Sequence, residues 1–148
     1  MQLKWECQYF DELSATGLYN ILKLRSEVFV VEQNCIYLDS DNKDQRSYHL
    51  TGYSGDILVA YARLLPPGIA FPEASIGRVV THPQYRNTGA GKALMIKAIG
   101  ACRQQFNVTK IRIGAQLYLK KFYTDLGFIQ CSETYLEDGI PHIEMMLE

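Results

Sequence analysis

"YRNTGAGKAL", residues 85–94, decides the fold, because a glycine-rich turn feeding a helix is a device that holds anions. An arginine, two glycines one residue apart and a lysine precede an apolar run with helical spacing. Three kinds of protein machine use such a turn. A nucleotide-hydrolysing P-loop needs Gly-x-x-x-x-Gly-Lys-Ser/Thr. Counted back from Gly91-Lys92, the first glycine position is Arg86 and the hydroxyl position is Ala93, so the magnesium ligand is missing. A dinucleotide fingerprint needs a third glycine and an acidic residue about twenty positions later. That third position is Leu94, and the next β run, Ile111-Arg112-Ile113, offers no carboxylate.

What remains is Arg-x-x-Gly-x-Gly, Arg86-Asn87-Thr88-Gly89-Ala90-Gly91, between a β-rich run at 75–81, "SIGRVVT", and a helix. His82-Pro83 halts the β run, and Leu94, Met95, Ala98, Ile99 and Cys102 give the helix one apolar face at a 3.6-residue period. Residues 110–115 read as the next strand. A second amphipathic helix follows, with Leu119, Phe122, Tyr123 and Leu126 at i, i+3, i+4 and i+7. Gly127 sits where a left-handed C-cap belongs. Residues 122–128 of that segment spell Phe-Tyr-x-x-x-Gly-Phe.

Farther out, Ser14 caps a predicted helix whose apolar face is Leu18, Ile21, Leu22, Val28 and Phe29, interrupted by Arg25. The stretch after Phe29, "VVEQNCIYLDSDNKDQ", reads as a polar, acidic loop. Residues 48–53 and 57–65 form a predicted hairpin around Ser54-Gly55-Asp56, ended by Pro66-Pro67-Gly68. A last hairpin joins 128–136 to 141–147 through Asp138-Gly139. A strand-loop-helix-strand unit over 75–115 must cross over, so its two strands should run parallel. The expectation is an α/β fold, one mixed sheet flanked by helices, in a single domain over 1–148.

Composition bounds the function. At 148 residues, 47% hydrophobic and 21% charged, the chain has the make-up of a globular domain. A net charge of −1 and the lack of a Lys/Arg stripe argue against nucleic acid as a partner. No apolar run reaches 18 residues, and Met-Gln-Leu-Lys-Trp-Glu is no signal peptide, so a soluble cytoplasmic protein is expected. Cys7, Cys35, Cys102 and Cys131 are scattered without a CxxC pair, which suggests reduced thiols and no metal site. A calcium loop counted from Asp39 fails, with Lys43 at position 5, Asp44 at position 6 and Leu50 at position 12.

The two glycine motifs, in this order and setting, resemble the GNAT superfamily of acyl-CoA-dependent N-acetyltransferases. "LRSEVFVVEQNCIYLDSDNKD" (24–44) and "DGIPHIEMM" (138–146) resemble its ElaA-like branch, so the likeness covers nearly the whole chain. It implies a GNAT fold in which two parallel strands splay apart, and acetyl-CoA as co-substrate. Arg86, Asn87, Thr88, Gly89, Ala90, Gly91 and Lys92 would hold the pyrophosphate. Val79, Val80 and Thr81 would pair with pantetheine through their main chain, one amide polarising the thioester oxygen. Gly77 would form the bulge that opens this gap. Phe122 and Gln116 would complete the cofactor side, although the family usually has Asn at the position of Gln116 and Ala at that of Leu119.

For the chemistry, Tyr123 is the candidate acid for the departing thiolate, since a phenol is protonated at neutral pH. The base stays open. Alternation places His142 and Glu144 on one face of the last strand, opposite the apolar Ile143, Met145 and Leu147; Glu73 and His82 are further candidates. Glu32, Gln33 and Asp39 are expected near the acceptor, where Glu32, Asp39, Asp41 and Asp44 would attract a cationic amine. No Ser or Cys has a recognisable nucleophile setting, which favours direct transfer in a ternary complex. The rival reading is a non-catalytic acyl-CoA-binding or regulatory module. The expected partners are a small-molecule or peptide amine and, at most, a second copy of the chain.

Overall fold

Trp5, Cys7 and Tyr9 alternate with Lys4, Glu6 and Gln8, and this makes Lys4–Tyr9 a strand, β1, that a reading of the N-terminus by charge alone passes over. In the computed structural model, which describes residues 2–148, β1 pairs antiparallel with Tyr48–Ser54 (β2). The Trp5 ring lies over Gly52, its register partner, where a Cβ would sit 2.7 Å from a ring carbon. Aromatic cover of a strand glycine restores the packing that glycine lacks. Ile57–Leu65 (β3) follows β2 around a Gly55-Asp56 turn, and Ser75–Thr81 (β4) closes a first sheet ordered β1-β2-β3-β4.

The second sheet is built on the C-terminal strand. Ile111–Gln116 (β5), Ile129–Gln130 (β6) and Tyr135–Glu137 (β7) all pair antiparallel with Ile140–Leu147 (β8). The predicted strand over 128–136 is broken. The Ser132 hydroxyl accepts the Glu144 N–H at 2.8 Å, where a ladder carbonyl would have stood, so the chain leaves the sheet between β6 and β7. Asp138 and Gly139 are both left-handed, at φ 51° and 77°, as a tight hairpin turn requires.

The expected single mixed sheet is therefore corrected to two four-stranded sheets whose internal pairings are all antiparallel. β4 and β5 do run parallel, but they meet at one bridge, Ala74 with Ile111, where the Arg112 N–H reaches the Ala74 carbonyl at 2.9 Å. A bulge in β4 accompanies their parting. Tyr61 pairs with Val80 but Arg63 with Gly77, so Ala62 faces both Arg78 and Val79. The extra residue bends the strand. The bulge falls just after the expected Gly77, and its left-handed backbone sits at Arg78 (φ 51°).

Ala15–Arg25 (α1) begins where Ser14 Oγ accepts the Gly17 N–H at 3.0 Å. It does not dissolve after Phe29; Ser26–Glu32 continues it as a π-helical segment. Arg25 is no interruption of the apolar face but lies fully buried on it, beside Ile21, Leu24 and Val28. Ala90–Phe106 (α2) buries Leu94, Met95, Ala98 and Cys102 in a core shared with Ala60, Ala62 and Leu64 of β3 and with Ile113, Ile143 and Met145 of the second sheet. The predicted second amphipathic helix is a 3₁₀ turn, Leu117–Leu119, running into a short helix, Lys120–Thr124 (α3), with Gly127 left-handed at φ 103° behind it. No helix among the described residues is long and apolar enough to cross a membrane.

Candidate active site

A cleft of about 1130 Å³ opens where β4 and β5 part. Val79, Val80 and Thr81 line one edge and Gln116 the other. The end of the π-helical segment contributes Glu32 and Gln33, α3 contributes Phe122 and Tyr123, and β8 contributes His142 and Glu144. Most of the residues singled out from the sequence thus share one concavity.

At the start of α2, Asn87 (φ 62°) and Gly89 (φ 84°) both turn left-handed, and Gly89 is an N-cap with no side chain to occupy the free amides. The first-turn N–H groups that follow have no acceptor inside the helix, and they carry its positive end. Arg86 and Gly91 line the cleft, whereas Asn87, Thr88, Gly89, Ala90 and Lys92 form the loop outside its lining. A Cβ at Gly91 would stand 3.9 Å from Phe122 and Thr81, which is ordinary contact. Nothing in the chain itself requires glycine there. These residues fit a bound pyrophosphate.

Two residues expected on the cofactor side, Arg86 and Gln116, meet two expected on the acceptor side, Glu32 and Gln33, across this cleft. The Arg86 guanidinium grips Glu32 in a forked pair, with Nη1 2.7 Å from Oε2, and this holds the Glu32 carboxyl below the usual carboxylate range. The Gln33 and Gln116 amides exchange hydrogen bonds at 3.2 and 3.3 Å.

Tyr123 is 5% exposed and packs edge-on against Phe122 and Phe128. Burial pushes its phenol well above the ordinary value, so it remains a proton carrier at any physiological pH. His142 Nδ1 lies 2.7 Å from the Ile140 carbonyl, which assigns the ring proton to that nitrogen in the neutral form. Nε2 is then the basic nitrogen, 3.5 Å from the Glu137 carboxylate, and the ring stacks on Tyr135. The other base candidates are engaged. Arg112 donates to Glu144 at 2.9 and 2.6 Å and also approaches Glu73 at 3.6 Å. Glu73 and His82 lie outside the cleft lining, and His82 Nδ1 accepts the Gln84 N–H at 3.1 Å.

Asp39 is corrected from acceptor contact to buried ion-pair partner. Arg25 Nε meets its Oδ2 at 2.7 Å, while Arg78 Nε and the Tyr37 hydroxyl meet its Oδ1 at 2.7 and 2.9 Å. Arg63 donates to Asp41 and Asp44 at 2.8 Å, and Arg25 reaches Asp44 at 2.8 Å. The expected acidic field is thereby neutralised by arginines from α1, β3 and β4. Of these arginines only Arg25 stands out in the sequence, as a charge on an apolar helix face, and the aspartates of the cluster lie within six residues, at 39, 41 and 44.

His49 completes the cluster, its ring nitrogens 2.7 Å from the Tyr61 hydroxyl and 2.9 Å from the Asp44 carbonyl. Burial pulls its pKa below the ordinary value. The unfolded chain takes up that proton as pH falls through about 6.5, and the fold does not, so stability declines below that pH. Burial opposes ionisation of Asp41 and Asp44, but the facing guanidiniums outweigh it and hold both below the usual carboxylate range. A second loss follows as pH falls below about 4. The urea midpoint should therefore be lower at pH 5 than at pH 7.5; equal midpoints would contradict a neutral, buried His49.

All four cysteines are free thiols, and burial pushes Cys102 up to about 12 and Cys7 upward. Neither of these two is a nucleophile at neutral pH.

Comparison with known proteins gives the family. Residues 16–148 match the acetyltransferase (GNAT) domain family. The protein ElaA of Escherichia coli is 41% identical over 148 residues, covering 99% of this chain and 97% of that one, and its crystal structure superposes with a TM-score of 0.93. An acyl-CoA N-acyltransferase from Pseudomonas aeruginosa, 39% identical, superposes equally well at 0.93 over 99% of this chain and all of that one. A UPF0039 protein of Schizosaccharomyces pombe is 43% identical over 99% of this chain and 97% of its own. The chain belongs to the GNAT acetyltransferase family, in its ElaA-like branch.

Proposed function

We propose that the chain transfers an acetyl group from acetyl-CoA to a primary amine of a small molecule or peptide, in one direct step in the cytoplasm. The observation that carries this reading is the meeting of a protonated, buried Tyr123 and a His142 with a free Nε2 in one cleft, bounded by an uncapped helix start. The amides after Gly89 receive the pyrophosphate, and the main chain of Val79, Val80 and Thr81 pairs with the pantetheine arm. An amide at the β4 bulge donates to the thioester oxygen, which draws charge from the carbonyl carbon. His142 Nε2 takes a proton from the incoming ammonium, and Glu137 stabilises the imidazolium that results. The amine nitrogen bonds to the carbonyl carbon, and the carbon–sulfur bond breaks as Tyr123 gives its proton to the sulfur; the second proton, shed as the nitrogen becomes an amide, restores the Tyr123 phenol through solvent, and His142 releases its own proton to solvent. An amide and free CoA leave.

The P. aeruginosa relative's description as an acyl-CoA N-acyltransferase supports the same class of chemistry. Thermal shift with CoA is the first test. At a hundredfold excess over Kd, binding adds about 2.7 kcal/mol. For a chain of this length that is a rise of roughly 5–10 °C. No rise at millimolar CoA would sink the reading. Thiol release over a panel of polyamines, amino sugars and peptides then identifies the acceptor and separates an enzyme from a binding module.

A further inference from the structure

We propose that Arg78 is a positioning residue: it acts through its own backbone to aim the bulge amide of β4 at the thioester. The proposal rests on the acetyl-transfer reading above and adds a role that its side-chain contacts define. Arg78 adopts a left-handed φ of 51° within a strand, although glycine, the residue suited to that conformation, stands one position earlier at Gly77. A non-glycine residue keeps such a backbone only where its surroundings over-determine it.

The surroundings do so through the side chain. Arg78 Nε donates to Asp39 Oδ1 at 2.7 Å, and Nη2 donates to the Asp39 carbonyl at 3.0 Å. The guanidinium also lies over the Tyr37 ring, 5.9 Å from its centre. Asp39 is immobile in turn. Arg25, fully buried on α1, holds its other carboxylate oxygen at 2.7 Å and its carbonyl at 3.2 Å. The chain of contacts therefore runs from the core face of α1, through the loop after the π-helical segment, to the bulge.

Its consequence falls on the main chain. Ala62 faces both Arg78 and Val79, so the bulge leaves a residue without its ladder partner on β3. Arg78 and Val79 both line the cleft. The direction of the freed amide depends on the φ of Arg78. Nε and Nη2 of the guanidinium are held by Asp39 and Asp41, which ties the side chain to the loop after the π-helical segment.

Two substitutions separate this from a structural ion pair. Arg78→Ala removes the clamp and leaves a residue that resists positive φ; Arg78→Gly removes the clamp and permits positive φ. The readout that needs no acceptor is the infrared carbonyl stretch of ¹³C-labelled acetyl-CoA bound to each protein. Bound to the unmodified chain, the stretch should lie below its value in free acetyl-CoA. In R78A at least half of that displacement should vanish, and kcat should fall roughly tenfold to a hundredfold with KM for acetyl-CoA within about threefold. R78G should keep most of the displacement and of kcat while its melting temperature falls as far as that of R78A. Full displacement in R78A, or equal loss in R78A and R78G, overturns the proposal. If R78A does not fold, R78K takes its place, since lysine also resists positive φ and cannot fork between the two Asp39 oxygens. Failure of the unmodified chain to bind acetyl-CoA would overturn the acetyl-transfer reading. Binding without any carbonyl displacement would overturn the positioning role alone.

Discussion

Tyr123→Phe should lower turnover by roughly 10² to 10³ while leaving the affinity for CoA unchanged. The substitution deletes one oxygen and keeps the ring that packs against Phe122 and Phe128, so the fold is retained. In the proposed reaction, what disappears is the proton that meets the departing thiolate, and general acid catalysis of this kind contributes about 10² to 10⁴. Because burial raises the phenol pKa, the parent enzyme should show no alkaline loss of activity from this group below pH 10. Steady-state kinetics at saturating acetyl-CoA decides the matter. Unchanged turnover in Tyr123→Phe would remove this residue from the mechanism and leave the thiolate to depart unprotonated.

Arg25→Ala should cost about 3–5 kcal/mol of folding stability, because it leaves part of a buried charge cluster unpaired. Arg25 has no exposed surface and makes three hydrogen bonds, to both carboxylate partners and to a carbonyl. Against a total stability of about 5–15 kcal/mol, that loss brings the protein close to unfolding at room temperature. The exposed pair Lys23–Glu27, two residues to either side of Arg25, supplies the contrast. Its side chains are 62% and 46% accessible, and its removal should change stability by less than about 0.5 kcal/mol. Urea denaturation of Arg25→Ala and Lys23→Ala side by side measures both. Similar midpoints would show that the cluster is dispensable to the fold.

Legibility in the sequence follows the range of the interaction responsible. The Ser14 cap, the Asp138-Gly139 turn, the left-handed Gly127 and the uncapped Gly89 each depend on a few neighbouring residues, and each is where the sequence places it. The β1 strand was equally local. Its Trp5-Cys7-Tyr9 alternation is plain once the charges of Lys4 and Glu6 are read as the solvent face. The break in 128–136 was not, since it depends on a serine hydroxyl substituting for a carbonyl on another strand, twelve residues away.

The site divides the same way. Residue type and spacing alone distinguished the phosphate loop from two other glycine turns, and placed Tyr123 and His142 on elements that could face a ligand. Which acids remain free was decided by topology. Asp39 pairs with arginines 14 and 39 residues away, Glu32 with Arg86 across 54 residues, and Gln33 with Gln116 across 83. Carboxylates that look like a solvated acidic lure in one dimension are consumed by guanidiniums that only the packed sheets bring beside them. The sequence by itself carried the resemblance to the family, in motifs spread over nearly the whole chain, and the glycine turn before α2, whose left-handed backbone is set within a few residues. Only the tertiary structure decided where β4 bulges, which charges cancel, and that Glu144 is held by Arg112 while His142 faces the Glu137 carboxylate, because each of those outcomes is a competition among groups from separate elements.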